Sequence, residues 1–130
     1  MENYKVRAAL ESESTQIKEL INLVGINPTG LDWKRFIVAV NDGGQVIACG
    51  QIKPHGGDIR ELASIAVHPE YQNQGIGTEL NLFALQKMKE GGMKIAELGT
   101  GGDESHAPAR KSYEKAGYTG LPLVRYYKDL

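Results

Sequence analysis

The sequence predicts a mixed α/β sandwich, with a mostly antiparallel central sheet flanked by helices on both faces. Three observations predict it. Consecutive apolar segments at 35–40, 45–53 and 59–67 are joined by short glycine-rich turns, which makes them antiparallel neighbours. Two longer segments carry apolar residues at helical spacing. A later strand–helix–strand step then requires a parallel pair in the same sheet.

Tyr4 to Leu10 alternates loosely and reads as a strand. Glu13 to Val24 places Ile17, Leu20, Ile21 and Val24 on one helical face, with Ser12 or Ser14 as its cap. Asn27-Pro28-Thr29-Gly30 marks a loop. Arg35 to Val40 is a dense apolar strand, and Asn41-Asp42-Gly43-Gly44 turns it into its partner, Gln45 to Lys53. A second turn, Pro54 to Asp58, leads to the strand Ile59 to Val67, which Pro69 closes. Gly75 to Glu90 is the longest helical pattern, with a broad stripe of Ile76, Leu80, Phe83, Ala84, Leu85 and Met88. Met93 to Leu98 reads as a short strand. Ala107 to Ala116 reads as a helix stopped by Gly117, and Pro122 to Lys128 as a last strand.

Length sets one domain over residues 1–130, enough to bury a core. The net charge of −1 leaves no basic excess for neutralising a phosphate backbone, which argues against nucleic acid. No apolar run reaches the roughly 20 residues of a membrane helix, and the start carries no apolar signal region. The lone Cys49 excludes an intrachain disulfide and fits a reducing cytoplasm. His55, His68 and His106 are too far apart in sequence for metal-ligand spacing, so no metal is expected.

The chemistry concentrates where Val67 gives way to the longest helix. A helix N-terminus offers unpaired amides and a partial positive charge, and glycines let an anion approach them. A Walker loop is excluded because Thr78-Glu79 follows Gly77. A dinucleotide fingerprint is excluded because Leu80 stands where a third small residue belongs. What remains, Gln72-Asn73-Gln74-Gly75-Ile76-Gly77 after a strand ending in Val67-His68-Pro69-Glu70, closely resembles the coenzyme-A motif of the GNAT N-acetyltransferase family. Phe36-Ile37-Val38-Ala39-Val40, the Asp42-Gly43 turn and the following glycine-containing strand look like that family's second and third strands. Ala109-Arg110-Lys111-Ser112-Tyr113-Glu114-Lys115-Ala116-Gly117-Tyr118 is similar to its later motif, Ala-x-x-x-Tyr-Glu-Lys-x-Gly-Phe. The ending Tyr126-Tyr127-Lys128 is also common in it. The likeness spans roughly residues 34 to 130.

The resemblance implies an acetyl-CoA-dependent N-acetyltransferase working by direct transfer to a primary amine. It implies that backbone groups in the Ile65-Ala66-Val67 stretch pair with the pantetheine arm. Backbone amides of Gln72, Asn73, Gln74, Gly75, Ile76, Gly77 and Thr78 would hold the pyrophosphate, and Tyr113 would protonate the departing thiolate. The sequence departs from the family in two places. Gln72, Asn73 and Gln74 stand where many members carry Arg or Lys, leaving the anion to backbone and neutral amides unless Arg110 or Lys111 reaches it. His106 stands where an Asn often precedes the tyrosine.

The residues themselves suggest a base. On an ideal strand Ile59, Glu61, Ala63, Ile65 and Val67 share one face, and a carboxylate there is unusual. Glu61 is the candidate, directly or through water, with a solvated strand-end glutamate as the plain reading; His55 and His68 are alternatives. The plain reading of Tyr113 is a core tyrosine; Trp33 is a pocket wall or sheet packing, Cys49 an inert core thiol, and Glu11, Glu13 and Glu19 a solvated helix face or an attraction for a cationic amine. The acceptor, a small-molecule or peptide amine, has no motif of its own. The short N-terminal region leaves its pocket open or completed by a second subunit. A catalytically silent acyl-CoA-binding module and a plain interaction domain are the rival functions.

Overall fold

A computed structural model describes residues 3–130. Two units divide the chain, one running up to Gly99 and one from Thr100 to Leu130.

In the first unit, strands Tyr4–Ala8 (β1), Phe36–Asn41 (β2), Val46–Pro54 (β3), Ile59–Val67 (β4) and Ile95–Glu97 (β5) form one sheet in the order β1-β2-β3-β4-β5. The first four are antiparallel, and β5 joins β4 in parallel. Helices Ser14–Leu23 (α1) and Ile76–Glu90 (α2) cover opposite faces. Alternation along β2 and β3 makes this possible. Val38, Val40, Val46 and Cys49 pack under Ile17, Leu20 and Ile21 of α1. Ile37, Ala39, Ile47 and Ala48 pack under Ile76, Leu80, Ala84 and Met88 of α2. The sandwich predicted for this region is therefore present.

Gly50 sets how closely α2 lies on the sheet. A Cβ there would stand 3.1 Å from Leu80 Cδ2 and 3.2 Å from Leu62 Cδ1, tighter than ordinary contact.

The start of α1 differs from expectation. Neither Ser12 nor Ser14 caps it. A 3₁₀ turn, Glu11–Glu13, precedes the helix, and Glu13 Oε1 accepts the Leu10 amide at 2.8 Å. Glu13 is not on a solvated face: it is 6% exposed and takes a two-pronged bond from Arg7 of β1 at 2.8 and 2.9 Å. The guanidinium, offset in part by burial, holds its carboxyl below the usual carboxylate range.

A bulge in β4 matters more. Cys49 pairs with Ala66 but Gln51 pairs with Ala63, so β4 carries one extra residue there. Ser64 sits at φ 53°, a left-handed conformation rare for a non-glycine residue. The ideal-strand expectation for this segment fails in consequence. Ile65 and Val67 pack on the α2 side together with Leu62, whereas Glu61 falls on the other face.

In the second unit, a 3₁₀ turn, Glu104–His106, leads into Ala107–Lys115 (α3). Tyr118 N–H donates to Tyr113 C=O and Gly117 N–H to Glu114 C=O, which closes the helix in the predicted place. The strand expected at Pro122–Lys128 does not form. Leu123, Val124, Tyr126 and Tyr127 are exposed. Their β-preference describes fit to a paired, half-buried surface, and no described residue supplies them with a ladder.

Candidate active site

The turn between β4 and α2 is built in three steps. His68 N–H donates to Ile47 C=O at 2.8 Å, and His68 Nδ1 accepts the Glu70 amide at 3.1 Å. His68 is thus a loop anchor, with Pro69 opening a short 3₁₀ turn, Pro69–Tyr71, behind it. The chain then passes Asn73 at φ 63° and Gly75 at φ 83° before α2 begins. Glu79 N–H donates to Gly75 C=O at 3.1 Å in the first turn of α2, and Ile76 and Gly77 open the helix, where a helix leaves amides without an i−4 acceptor.

Side chains do not plug this turn. Gln72, Asn73, Gln74 and Gly75 are exposed, and a Cβ at Gly75 would project into open space. Gly77 lies against the strand, where a Cβ would stand 3.6 Å from Val67 Cγ2. Glu79, the acidic residue of the first helical turn, is engaged by the Tyr4 hydroxyl, which burial and this carboxylate push up to about 12. The arrangement can hold an anion on backbone donors at the positive end of a fifteen-residue helix.

β4 presents an open edge beside this turn. It pairs with β5 only over Ile59–Ile95, Arg60–Ala96 and Glu61–Glu97. From Leu62 to Val67, among the described residues, it pairs with β3 on one side and no strand on the other. An extended group lying along that edge could be held by strand-like hydrogen bonds. The Ala66 side chain is spent in the core against the α1 side, and its backbone pairs with Cys49 of β3.

The structure therefore brings Ile65, Ala66, Val67 and Gln72 to Thr78 together. Glu61 is half-buried on the same strand, at the closed end of the notch where β4 and β5 still pair. Its row continues through Lys53 on β3 and Glu97 on β5, their Cα partners across the sheet. His55 Nε2 lies 3.1 Å from Glu97 Oε2. Sequence reasoning did not single out Glu97 or Ser64. A three-residue strand and a lone serine carry no pattern that would have marked them.

Trp33 lines a pocket of about 170 Å³ with Ser14, Ile17, Lys18, Leu31 and Asp32. Cys49 is fully buried, and burial pushes its thiol up to about 12, as an inert core thiol requires.

In the second unit, Tyr113 of α3 is partly buried and meets Tyr118 edge-on at 6.3 Å between ring centres. Burial raises its hydroxyl above the ordinary tyrosine range, which keeps it protonated. Arg110 donates to Gly101 C=O at 2.6 Å and Asp103 C=O at 2.8 Å, so it is committed to its own loop. Asp103 accepts from the Ser105 hydroxyl and stands 2.5 Å from His106 Nδ1, and these partners hold it near 2. His106 thereby serves the turn that starts α3.

Among the described residues no helix is long and apolar enough to cross a membrane, and no three His, Cys, Asp or Glu side chains cluster to hold a metal.

Comparison with known proteins agrees with this geometry. A mycothiol acetyltransferase from Thermomonospora curvata is 33% identical over 86 residues, which are 66% of this chain and 28% of that protein. The chain spans little more than a quarter of the length of the curated relatives it matches. A GNAT-family acetyltransferase from Staphylococcus aureus Mu50 shares the fold with a TM-score of 0.78 at 16% identity, over 98% of this chain and 94% of that one. Rv2747 from Mycobacterium tuberculosis, solved in complex with CoA and NLQ, shares it with a TM-score of 0.73 at 23% identity, over 92% and 76%. The description "Acetyltransferase (GNAT) family" matches residues 6–118, most of the chain, and on that match this chain belongs to the GNAT acetyltransferase family.

Proposed function

We propose that this chain transfers an acetyl group from acetyl-CoA to a primary amine, by direct attack within a ternary complex. The observation that carries the reading is the exposed glycine turn at the start of α2, set beside the unpaired edge of β4. Open space at Gly75, a helix start and a strand edge with no described strand beside it fit a diphosphate followed by an amide-bearing arm. Backbone groups of Ile65 and Val67 would hold the arm, and amides from Gln72 to Thr78 the pyrophosphate. The bound co-substrate supplies the thioester carbonyl.

The chain's residues do the rest. A side chain at the closed end of the notch, where Glu61 stands, takes a proton from the acceptor, directly or through a water, so that a neutral amine attacks. Backbone donors at the notch stabilise the developing oxyanion. Tyr113, kept protonated by its burial, gives its proton to the departing thiolate. The mycothiol acetyltransferase relatives support acetyl as the transferred group.

The test is thiol release from acetyl-CoA across aminoglycosides, polyamines, amino acids and peptide amines, paired with calorimetric binding. Turnover on at least one amine class supports the reading. Tight binding without turnover on any of them makes the chain a silent acyl-CoA module. Absence of binding removes the cofactor site.

A further inference from the structure

We propose that His55, oriented by Glu97, is the group that takes the proton from the acceptor amine, and that Glu61 is the neighbouring carboxylate that draws the cationic amine in. This deepens the transferase reading and rests on it.

The placement comes from the sheet. Glu61 and Glu97 are Cα partners at the last rung before β4 and β5 separate. Partnered residues in a sheet point to the same side, so both carboxylates stand on one face at the closed end of the notch. That face is the one α1 covers farther along β4, at Ala66; beyond its cover the row Lys53, Glu61, Glu97 is polar. An arm anchored at the start of α2 and paired with Ile65 and Val67 runs down the open edge toward this rung. The reacting carbonyl at its tip then meets Glu61 and Glu97 first.

His55 reaches the same place from the turn between β3 and β4. Its Nε2 lies 3.1 Å from Glu97 Oε2. The turn is held firmly: His55 N–H donates to Ile59 C=O at 3.2 Å, and Ile59 N–H to Gly56 C=O at 3.1 Å. Asp58 C=O accepts the Lys94 and Ile95 amides at 2.9 and 3.3 Å, which ties the turn to β5. Arg60 Nη1 donates to Gly57 and Ile59 carbonyls, and Lys53 is Cα-paired with Glu61.

A carboxylate accepts from a ring N–H, so the contact selects the neutral tautomer with hydrogen on Nε2 and a free lone pair on Nδ1. Side chains of His55 and Glu97 are 48% and 44% exposed, which suits groups that must meet a soluble amine. The step balances. One proton leaves the acceptor ammonium for Nδ1. The freed nitrogen pair forms the C–N bond, the C–S bond breaks, and the thiolate takes a proton from Tyr113. The remaining proton on the acylated nitrogen passes to water. Glu97 is a positioning residue; His55 is the catalytic one.

The experiment uses the whole chain and an amine that the wild type turns over. His55→Ala is expected to lower kcat about a hundredfold, with added imidazole restoring a measurable part, while acetyl-CoA affinity by calorimetry stays at the wild-type value. Glu97→Ala, which removes the acceptor, is expected to cost about tenfold and to weaken the Nε2–H signature of His55 in long-range proton–nitrogen spectra. His55→Gln guards against a folding defect. A His55→Ala enzyme within twofold of wild type, or a loss that imidazole does not touch, overturns the assignment and leaves the transferase reading standing. A wild type that releases no thiol with any amine overturns both.

Discussion

The Gln72 side-chain amide donates to the Val67 carbonyl across 3.1 Å, folding the first loop residue back onto the last residue of β4. That bond ties together the two halves of the cofactor site, strand edge and helix turn. It also commits Gln72 locally, so an incoming diphosphate would rest on backbone amides, not on this side chain.

Gln72→Ala should therefore change acetyl-CoA affinity by no more than about threefold, well under 1.4 kcal/mol. Gly75→Trp should behave differently. It places a ring in the open space before α2 and forces a non-glycine residue to φ 83°, and a loss beyond about tenfold is expected. Isothermal titration of both variants decides between backbone and side-chain recognition: a larger loss for Gln72→Ala than for Gly75→Trp would reverse the order.

Tyr113→Phe should reduce kcat by roughly 10²-fold or more with acetyl-CoA binding unchanged. An acid must be protonated to act, and burial raises this hydroxyl above the usual tyrosine range. Wild-type kcat should consequently hold up through neutral pH and fall only beyond that range. Steady-state pH profiles of both proteins check this. A fully active Phe variant, or a wild-type fall beginning near neutrality that the Phe variant lacks, would remove Tyr113 from the mechanism.

Glu13 governs stability and not chemistry. Its carboxyl is depressed in the fold, first by the bond from Arg7. A depressed carboxylate contributes stability above its unfolded value of about 4.3, and that contribution is lost as pH falls through the lower folded value. Glu13→Gln should cost about 1–3 kcal/mol at pH 7 and progressively less on acidification below pH about 4. Urea unfolding at both pH values measures it; a constant cost down to pH 2.5 would contradict the ion pair's role.

Much of this was readable from the residues. Alternation in Phe36-Ile37-Val38-Ala39-Val40 and the Asn41 to Gly44 turn set the antiparallel hairpin, and the stripe from Ile76 to Met88 set α2. Gly75 marked the turn because a left-handed residue asks for glycine. The site's closed end was not readable. Its geometry depends on a bulge at Ser64 that flips which side chains face α2, and on a pairing of β5 that lasts only three residues. Non-local register of that kind leaves no local mark. Pro122 to Lys128 shows the reverse error: residues with strand preference whose ladder is not supplied.

The bulge makes the last prediction. Ser64 holds φ 53°, a region that costs a non-glycine residue about 1–3 kcal/mol and a β-branched one most. Ser64→Gly should be neutral or stabilising by up to about 1 kcal/mol, and Ser64→Val destabilising by about 1–3 kcal/mol, in urea melts. The sulfur of Cys49 gives an independent readout, because it packs 3.8 Å from Ser64 C=O and burial pushes it up to about 12. In the wild type its alkylation at pH 8 should run at least about a thousandfold slower than for a free thiol, since little thiolate exists and none is accessible. Ser64→Val, by straining the strand out of its bulged register, should raise that rate well before global unfolding. If Cys49 reacts equally slowly in all three proteins while Ser64→Val melts like the wild type, the strand tolerates a regular register, and the bulge is not what separates Glu61 from the face of Ile65 and Val67.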